Sequence, residues 1–127
     1  MMIRERKGFT LIELIAVVFV IAILVGLSLG RYEKATERAM DAEAKTALRL
    51  IQAAQSIYKQ KYGVYYENNN ETAINTNLGL HLVLGNWHYE TLGPTVGSAY
   101  RQSTTRSRTL VIDSTGQPRC TSGWCDY

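Results

Sequence analysis

The residues best able to do chemistry are few: one carboxylate in an apolar stretch, two histidines and two cysteines. His81 and His88 stand in a spacing that is poor for sharing a metal ion, and neither belongs to a recognised catalytic motif. The chain shows no nucleophile paired with a base and no glycine-rich phosphate loop. The sequence therefore predicts a protein that is not an enzyme, with no catalytic residue, no metal and no cofactor.

The two cysteines lie close together near the carboxyl terminus. Cys120 and Cys125 are the only cysteines in the chain, and such an arrangement indicates one small disulfide loop in an oxidising compartment, with a reduced thiol pair as the alternative. Since the loop is so short, closing it stabilises the fold by only about 2 kcal/mol. For Trp124 and Tyr127, packing against the bridge is favoured over an exposed binding patch.

The carboxylate is Glu13, the only ionisable side chain between Phe9 and Leu29. As a helix this apolar stretch spans about 32 Å, enough to cross a bilayer core of about 30 Å. The basic cluster at 4–7 precedes it, so the amino terminus should stay in the cytoplasm and the rest should lie outside. An isolated charge is costly in hydrocarbon, and Glu13 therefore needs a partner.

Three interpretations of this amino terminus compete. An ordinary secretory signal would be cleaved near 28–30, but the apolar stretch is too long for one. A plain single-span anchor fits the length and gives no reason for Glu13. The third interpretation supplies the partner.

The run Lys7-Gly8-Phe9-Thr10-Leu11-Ile12-Glu13 resembles the processing site of type IV prepilins and pseudopilins. In that family a membrane-embedded prepilin peptidase cuts after the glycine on the cytoplasmic side and methylates the new amino-terminal phenylalanine. The resemblance implies cleavage between Gly8 and Phe9, followed by N-methylation of Phe9. The new ammonium group of Phe9 and the Glu13 carboxylate of a neighbouring copy can then form an assembly salt bridge in the filament core.

A long helix is predicted from about residue 9 to residue 62. No Pro or Gly interrupts 31–62, and Gly63 marks the end of the helix. Asp41 is expected to pair with Arg38 and Lys45 on the surface. One apolar stripe should lie on a folded core: Met40, Ala44, Ala47, Ile51, Ala54, Tyr58 and Tyr62. Such a helix, about 80 Å long, cannot be buried by its own domain.

Gly26 and Gly30 are the only helix-weakening residues of the apolar half. One hypothesis is that the helix extends locally at these glycines when the subunit leaves the membrane. The alternative is that small residues there pack closely against neighbouring helices. The sequence does not decide between them.

The rest of the chain is predicted to form a small head. Residues 64–85 should be a loop with a short helix or turn, in which Asn70 begins a glycosylation tripeptide that is best explained by chance. Three strands are predicted at 87–92, 98–102 and 109–114, in an antiparallel sheet. The expected core residues are Trp87, Tyr89, Leu110 and Ile112.

The resemblance implies an α+β type IV pilin fold, in which the second half of the helix packs on three or four antiparallel strands. It divides the chain into a leader (1–8), a transmembrane or filament-core half (9–30) and a periplasmic or extracellular head (31–127). The acidic residues of the carboxyl-terminal part are scattered, unlike the calcium loop of major pseudopilins: Glu90, Asp113 and Asp126.

The expected function is that of a structural subunit of a type IV pilus, held in the inner membrane before assembly and extracellular afterwards. Its implied partners are further copies, prepilin peptidase and an inner-membrane assembly platform with a separate ATPase. Without the leader the chain has eleven basic and ten acidic residues, which predicts no nucleic-acid contact. The alternatives are a type II secretion pseudopilin and a secreted soluble binding protein. Motility, adhesion, DNA uptake and conduction are not distinguished by the sequence.

Overall fold

The computed structural model confirms the α+β class. It describes residues 8–83, 85–93, 95–101, 103 and 106–125. The elements in chain order are α1 (Leu11–Tyr62), α2 (Glu71–Leu78), β1 (His88–Glu90), β2 (Gly97–Arg101), β3 (Arg108–Ile112) and β4 (Arg119–Gly123).

The chain forms two compact units, one that ends at Thr36 and one that begins at Glu37. In its described residues the first unit is almost entirely helix, and its side chains are exposed with few exceptions. The second unit contains the remainder of α1 together with α2 and the sheet. The head core described below lies wholly in this second unit.

Helix α1 begins and ends close to the predicted limits. Its sequence carries no proline and, beyond Gly30, no glycine before its end, so nothing in it breaks the hydrogen-bond ladder. At its end Gly63 has φ +80°, and its N–H donates to the carbonyl of Lys59 at 2.7 Å. A residue without a Cβ adopts this left-handed conformation at little cost, which explains why the helix stops there.

The four strands form an antiparallel sheet in the order β1-β2-β3-β4. The three predicted strands are confirmed: β1 and β3 are shorter than expected, and β2 has the expected length but begins one residue earlier. The fourth strand, β4, pairs with β3 across an irregularity between Thr109 and Leu110. It has little apolar character, and its pairing with β3 is what defines it.

The sheet lies close to α1 at Gly97 in β2. A Cβ placed on Gly97 would lie 2.9 Å from Cγ2 of Ile51, closer than real contacts allow. Glycine at this position therefore lets the strand backbone lie directly against the helix.

The core contains the four residues predicted for it, Trp87, Tyr89, Leu110 and Ile112, which are at most 2% exposed. Around them are buried Ala44, Leu48, Ile51, Ile74, Leu82, Val96 and Ala99.

The face that α1 buries differs from the predicted stripe. Its fully buried residues are Glu37, Asp41, Ala44, Leu48, Ile51 and Gln55. Tyr62, placed in the stripe, is 55% exposed. The predicted surface role of Asp41 is wrong, because Asp41 is buried and bound to Arg108. The predicted stripe counted only apolar residues, and so it missed Glu37, Asp41 and Gln55. These three side chains are polar, and each faces inward because it binds another segment of the chain.

The short helix predicted between α1 and the sheet is α2. Asn70 caps it: the side-chain oxygen accepts a hydrogen bond from the N–H of Ala73 at 3.1 Å. Gly79 ends it in the left-handed conformation, with φ +65°. Asn70 thus has a structural role at the helix start, whether or not it is modified.

Candidate functional site

The predicted processing motif lies at the start of α1, where Gly8, Phe9 and Thr10 precede the helix. Gly8 is exposed, and Phe9 is 77% exposed. The Thr10 carbonyl accepts hydrogen bonds from the N–H groups of Glu13 and Leu14, at 3.1 and 3.2 Å, and its Oγ1 lies 3.4 Å from the nitrogen of Glu13. The peptide bond predicted to be cut is therefore accessible and directly precedes a capped helix.

Thr10 and Glu13 have the spacing of a capping box, a sequence signal that marks a helix start. The prediction from apolar length alone placed the helix two residues too early. The motif thus combines an exposed cut point with a helix that starts at a defined residue.

Glu13 occupies the first turn of α1 and is exposed. Within the described part of the chain its carboxylate forms no ion pair. The amino-terminal end of a helix carries partial positive charge, which favours a carboxylate there. This placement gives Glu13 some stabilisation within its own chain and leaves its charge available to another molecule.

The apolar segment 11–29 is exposed throughout its described length. Its large apolar side chains are between 48% and 77% exposed. Helix α1 is long and apolar enough to cross a membrane by length and composition. It runs without a break through Gly26 and Gly30, and no atom lies within 4 Å of a Cβ built on either glycine. Both glycines therefore offer room for another molecule to approach the backbone.

The amino terminus matches a family model described as the prokaryotic N-terminal methylation motif, over residues 3–29. The amino terminus of this chain carries a prepilin-type motif. The match includes the residues that carry the resemblance to type IV prepilins as well as the apolar segment behind them.

Curated proteins that are similar to this chain are named type IV major pilin proteins. The chain is 38% identical over 64 residues to PilE1 of Neisseria gonorrhoeae, covering 50% of this chain and 30% of that protein. It is 37% identical over 67 residues to PilA of Myxococcus xanthus, strain DK1622, covering 53% of this chain and 30% of that protein. The chain therefore spans about a third of the length of these curated relatives. No solved structure matches it significantly.

Where α1 enters the second unit, five charged side chains form what we call the ion-pair cluster: Glu37, Asp41, Arg101, Arg106 and Arg108. Oε2 of Glu37 accepts hydrogen bonds from Nη1 of Arg101 at 2.6 Å and from Nη1 of Arg108 at 2.7 Å. Arg106 reaches the other oxygen at 3.4 Å, and Nε of Arg108 donates to Oδ1 of Asp41 at 2.7 Å. The cluster ties α1 to β2, to β3 and to the segment between them.

The two central arginines lie directly opposite each other on adjacent strands. Arg101 and Arg108 are register partners of β2 and β3, and like charges directly opposite each other destabilise a strand pair. The side chain of Arg108 is fully buried. Because a single Glu37 oxygen binds both guanidinium groups, docking α1 on the sheet compensates a repulsion within the sheet itself.

The cluster controls the ionisation of its members. Burial by itself would raise the pKa of the Glu37 carboxyl, but the hydrogen bonds and charges of Arg108 and Arg101 outweigh burial and hold that pKa below its usual value. For Arg108, burial acts to lower the pKa, and Glu37 and Asp41 together raise it above the usual value. Both shifts favour the charged forms of Glu37 and Arg108 near neutral pH.

Trp87 covers the cluster from the side of the core. Its ring centre lies 5.3 Å from the guanidinium carbon of Arg108, a cation–π distance. Its indole N–H donates to the Met40 carbonyl of α1 at 3.1 Å. A carbonyl in the middle of a helix already accepts a hydrogen bond within the helix, so the bond from Trp87 is a second one to the same oxygen.

A second polar anchor holds the far end of α1. The Gln55 amide donates to the Tyr66 carbonyl at 2.7 Å and to the Val96 carbonyl at 3.3 Å, and its oxygen accepts from the Tyr66 N–H at 2.9 Å. Gln55 is 1% exposed, and one amide thus joins α1 to two separate chain segments.

At the carboxyl terminus Cys120 and Cys125 form a disulfide, with their Cα atoms 5.9 Å apart. The bridge closes what we call the disulfide ring, residues 120–125. Trp124 in the ring is 36% exposed, and its ring centre lies 5.0 Å from the guanidinium carbon of Arg106. Trp124 is thus an exposed residue that contacts Arg106. Packing of its ring against the bridge stays a prediction, and Tyr127 lies outside the described residues.

The histidines do not assemble a site. His81 lies on the 80–83 segment beside α1, whereas His88 stacks on Tyr100, with ring centroids 5.3 Å apart, and lies 3.6 Å from Glu71. Across the described residues, no three His, Cys, Asp or Glu side chains form a group able to hold a metal ion.

Proposed function

We propose that this chain is the precursor of a structural subunit of a type IV pilus. In this proposal it is cut between Gly8 and Phe9, methylated at Phe9 and polymerised through the apolar segment 11–29. The observation that carries the proposal is a prepilin-type motif placed directly on an exposed apolar helix with one carboxylate in its first turn.

The exposure of the apolar segment supports polymerisation. Burying a large aliphatic side chain is favourable by about 1.5–3 kcal/mol, and this segment leaves many such side chains uncovered. A bilayer covers them before assembly, and helices of neighbouring subunits replace the bilayer afterwards. Processing and membrane insertion therefore precede filament formation.

The charges near the cut explain why removing the leader matters. Arg4, Arg6 and Lys7 precede the apolar segment, and the proposed orientation keeps them in the cytoplasm. Moving each through the bilayer centre would cost at least about 2.5 kcal/mol. A subunit extracted outward would carry all three across. After cleavage only the Phe9 ammonium and Glu13 must cross, and the two have opposite charges. The charges of the leader thus hold the helix in the membrane, and cleavage removes them so that the helix can be extracted.

The partners follow from this route. They are prepilin peptidase, an inner-membrane assembly platform with a separate ATPase, and further copies of the chain. The amino terminus faces the cytoplasm before assembly, and the head lies outside the inner membrane until the subunit joins an extracellular filament. This assignment rests on the prepilin-type motif and on relatives that are named major pilins.

Mass spectrometry of the chain from the native cell surface tests the proposal. The expected mature terminus is a singly methylated Phe9, carried in fibres that can be sheared from the cell. A Gly8→Val variant should keep the leader and form no fibres, whereas Gly85→Ala should be processed normally. A terminus near residue 31, or a soluble monomer in the medium, would contradict the proposal.

The same experiment distinguishes a secretion pseudopilus, whose subunits would carry the same amino terminus. In that case processed chain would be found in the periplasm and none in sheared surface fibres. The named relatives favour the pilus.

A further inference from the structure

We infer that the disulfide ring is a redox-dependent clamp, which holds Arg106 and Arg108 in position for Glu37 and thereby controls how firmly α1 docks on the sheet. This role concerns the folding of the head and goes beyond polymerisation through the apolar segment. It assigns the carboxyl-terminal disulfide an action on Glu37 of α1, which precedes Cys120 by 83 positions (120 − 37) in the sequence.

The first step is the contact between the ring and the start of β3. Gly123 has φ +87°, and a Cβ placed on it would meet the Ser107 carbonyl oxygen and lie 2.6 Å from Cα of Arg108. Gly123 and Arg108 are also register partners of β4 and β3. The ring therefore rests directly on the backbone of Arg108, at a distance that only glycine permits.

The second step is the contact of Trp124 with the same segment. Its N–H donates to the Ser107 carbonyl at 3.0 Å, and its indole faces the guanidinium group of Arg106. Next in sequence, Cys125 donates its N–H to the Gly123 carbonyl at 3.0 Å. The turn that presents Trp124 is thus closed by the disulfide and by one internal hydrogen bond.

The third step leads from this segment to the helix. Arg106 and Arg108, both touched by the ring, converge on the two oxygens of Glu37. Since Arg108 is fully buried, a shift of its backbone leaves a buried charge without its best geometry, which is costly. Opening the disulfide ring therefore weakens the docking of α1 on the sheet around Glu37.

The redox chemistry is ordinary thiol–disulfide exchange. Forming the bridge transfers two electrons and two protons from the thiols of Cys120 and Cys125 to the disulfide of an exchange partner, which becomes a dithiol. A dithiol reductant reverses the reaction and restores both thiols. Because oxidising conditions are found outside the cytoplasm, the clamp closes after the head has been exported.

Hydrogen exchange read by mass spectrometry on the full chain in detergent micelles tests the clamp. Reduction with a dithiol should speed exchange about tenfold in the part of α1 from 37 to 44 and in the paired amides of Arg101 and Arg108. Amides around Gln55, whose anchor does not involve the ring, should stay within about twofold. A uniform acceleration over the whole head would mean simple loss of stability and would overturn the inference, as would no change.

Two variants complete the test. Cys120→Ser/Cys125→Ser should show the fast local exchange without reductant and no further change with it. Trp124→Leu keeps the disulfide, and so it tests the contact even if the double variant does not fold. It should reproduce the local acceleration at 37–44 while bonded, and unchanged exchange in this variant would contradict the clamp.

Discussion

The two halves of α1 treat their carboxylates in opposite ways. In the apolar half Glu13 is exposed, and no basic side chain among the described residues pairs with it. In the head half Glu37 and Asp41 are 5% exposed and bound by arginines from the sheet. The same helix thus carries Glu13, which has no ion-pair partner among the described residues, and Glu37 and Asp41, which are paired within the head.

The difference shows which interactions hold the subunit together and which remain for other copies. A buried charge without its partner costs several kcal/mol, so the head loses stability if Glu37 is removed while Arg108 stays buried. The carboxylate of Glu13 makes no ion pair with any residue that the structure describes. Perturbing one half should therefore affect assembly and perturbing the other should affect stability, and the following experiments test that separation.

The largest effect is expected for Glu13→Ala. The variant should insert into the membrane and fold its head normally, but fibre yield should fall about a hundredfold, because the Phe9 ammonium of a neighbour loses its partner in a medium of low dielectric constant. Sheared fibres and membrane fractions are quantified by immunoblot. Glu43→Ala, which removes an exposed carboxylate of the same helix, serves as the control, and fibres of normal yield from Glu13→Ala would contradict the pairing.

Glu37→Ala should lower the free energy of unfolding of the head by about 3–5 kcal/mol, since Arg101 and Arg108 would be left facing each other in a buried sheet. Denaturant unfolding of the full chain in detergent, followed by the combined fluorescence of Trp87 and Trp124, measures the change. Glu67→Ala removes an exposed carboxylate and should change stability by less than about 0.5 kcal/mol. Equal effects of the two substitutions would show that the ion-pair cluster does not stabilise the head.

Gly97→Ala should destabilise the head by about 1–3 kcal/mol, because the added methyl group would overlap Ile51. Thermal unfolding gives the difference. Gly85→Ala is the matched control, because no atom lies within 4 Å of its added methyl group. A stable Gly97→Ala head would show that β2 can move away from α1 at little cost.

Acid should weaken the head through Glu37 by a smaller amount. The pKa of Glu37 is lowered in the folded head, so its contribution is fully present above the unfolded-state pKa of about 4.5 and is lost as the pH falls through the folded value. Denaturant midpoints measured between pH 7 and pH 3 should decline below about pH 4.5. In Glu37→Gln this part of the decline should disappear; an unchanged slope would assign the acid sensitivity to other groups.

The helix, its end at Gly63 and the four core residues were predictable because they depend on local signals. Apolar length, the absence of helix breakers and alternation in strands are properties of neighbouring residues. Trp87 and Ile112 were recognised in this way, and the structure places both in the core. The prepilin-type motif was similarly contained within seven consecutive residues.

The ion-pair cluster could not be predicted because its pairs join residues 64 to 71 positions apart. On a helical wheel Glu37 and Asp41 belong to the inward face, but a search for apolar residues discards them. Strand β4 was not assigned for a related reason: its residues are mostly polar, and pairing with β3 holds them in place. The capping-box pattern of Thr10 and Glu13 differs from these cases, because both residues lie within four consecutive positions and the pattern can be recognised in the sequence.

The position of Glu37 has a mechanical consequence. Tension carried along α1 within the head is transferred to the sheet at this residue, where a single carboxylate oxygen binds two neighbouring strands. Those strands, β2 and β3, are joined by five register pairs, so a pull on the helix is shared by a ladder of hydrogen bonds loaded side by side. A filament built from such subunits would bear load through charge contacts that water hardly reaches.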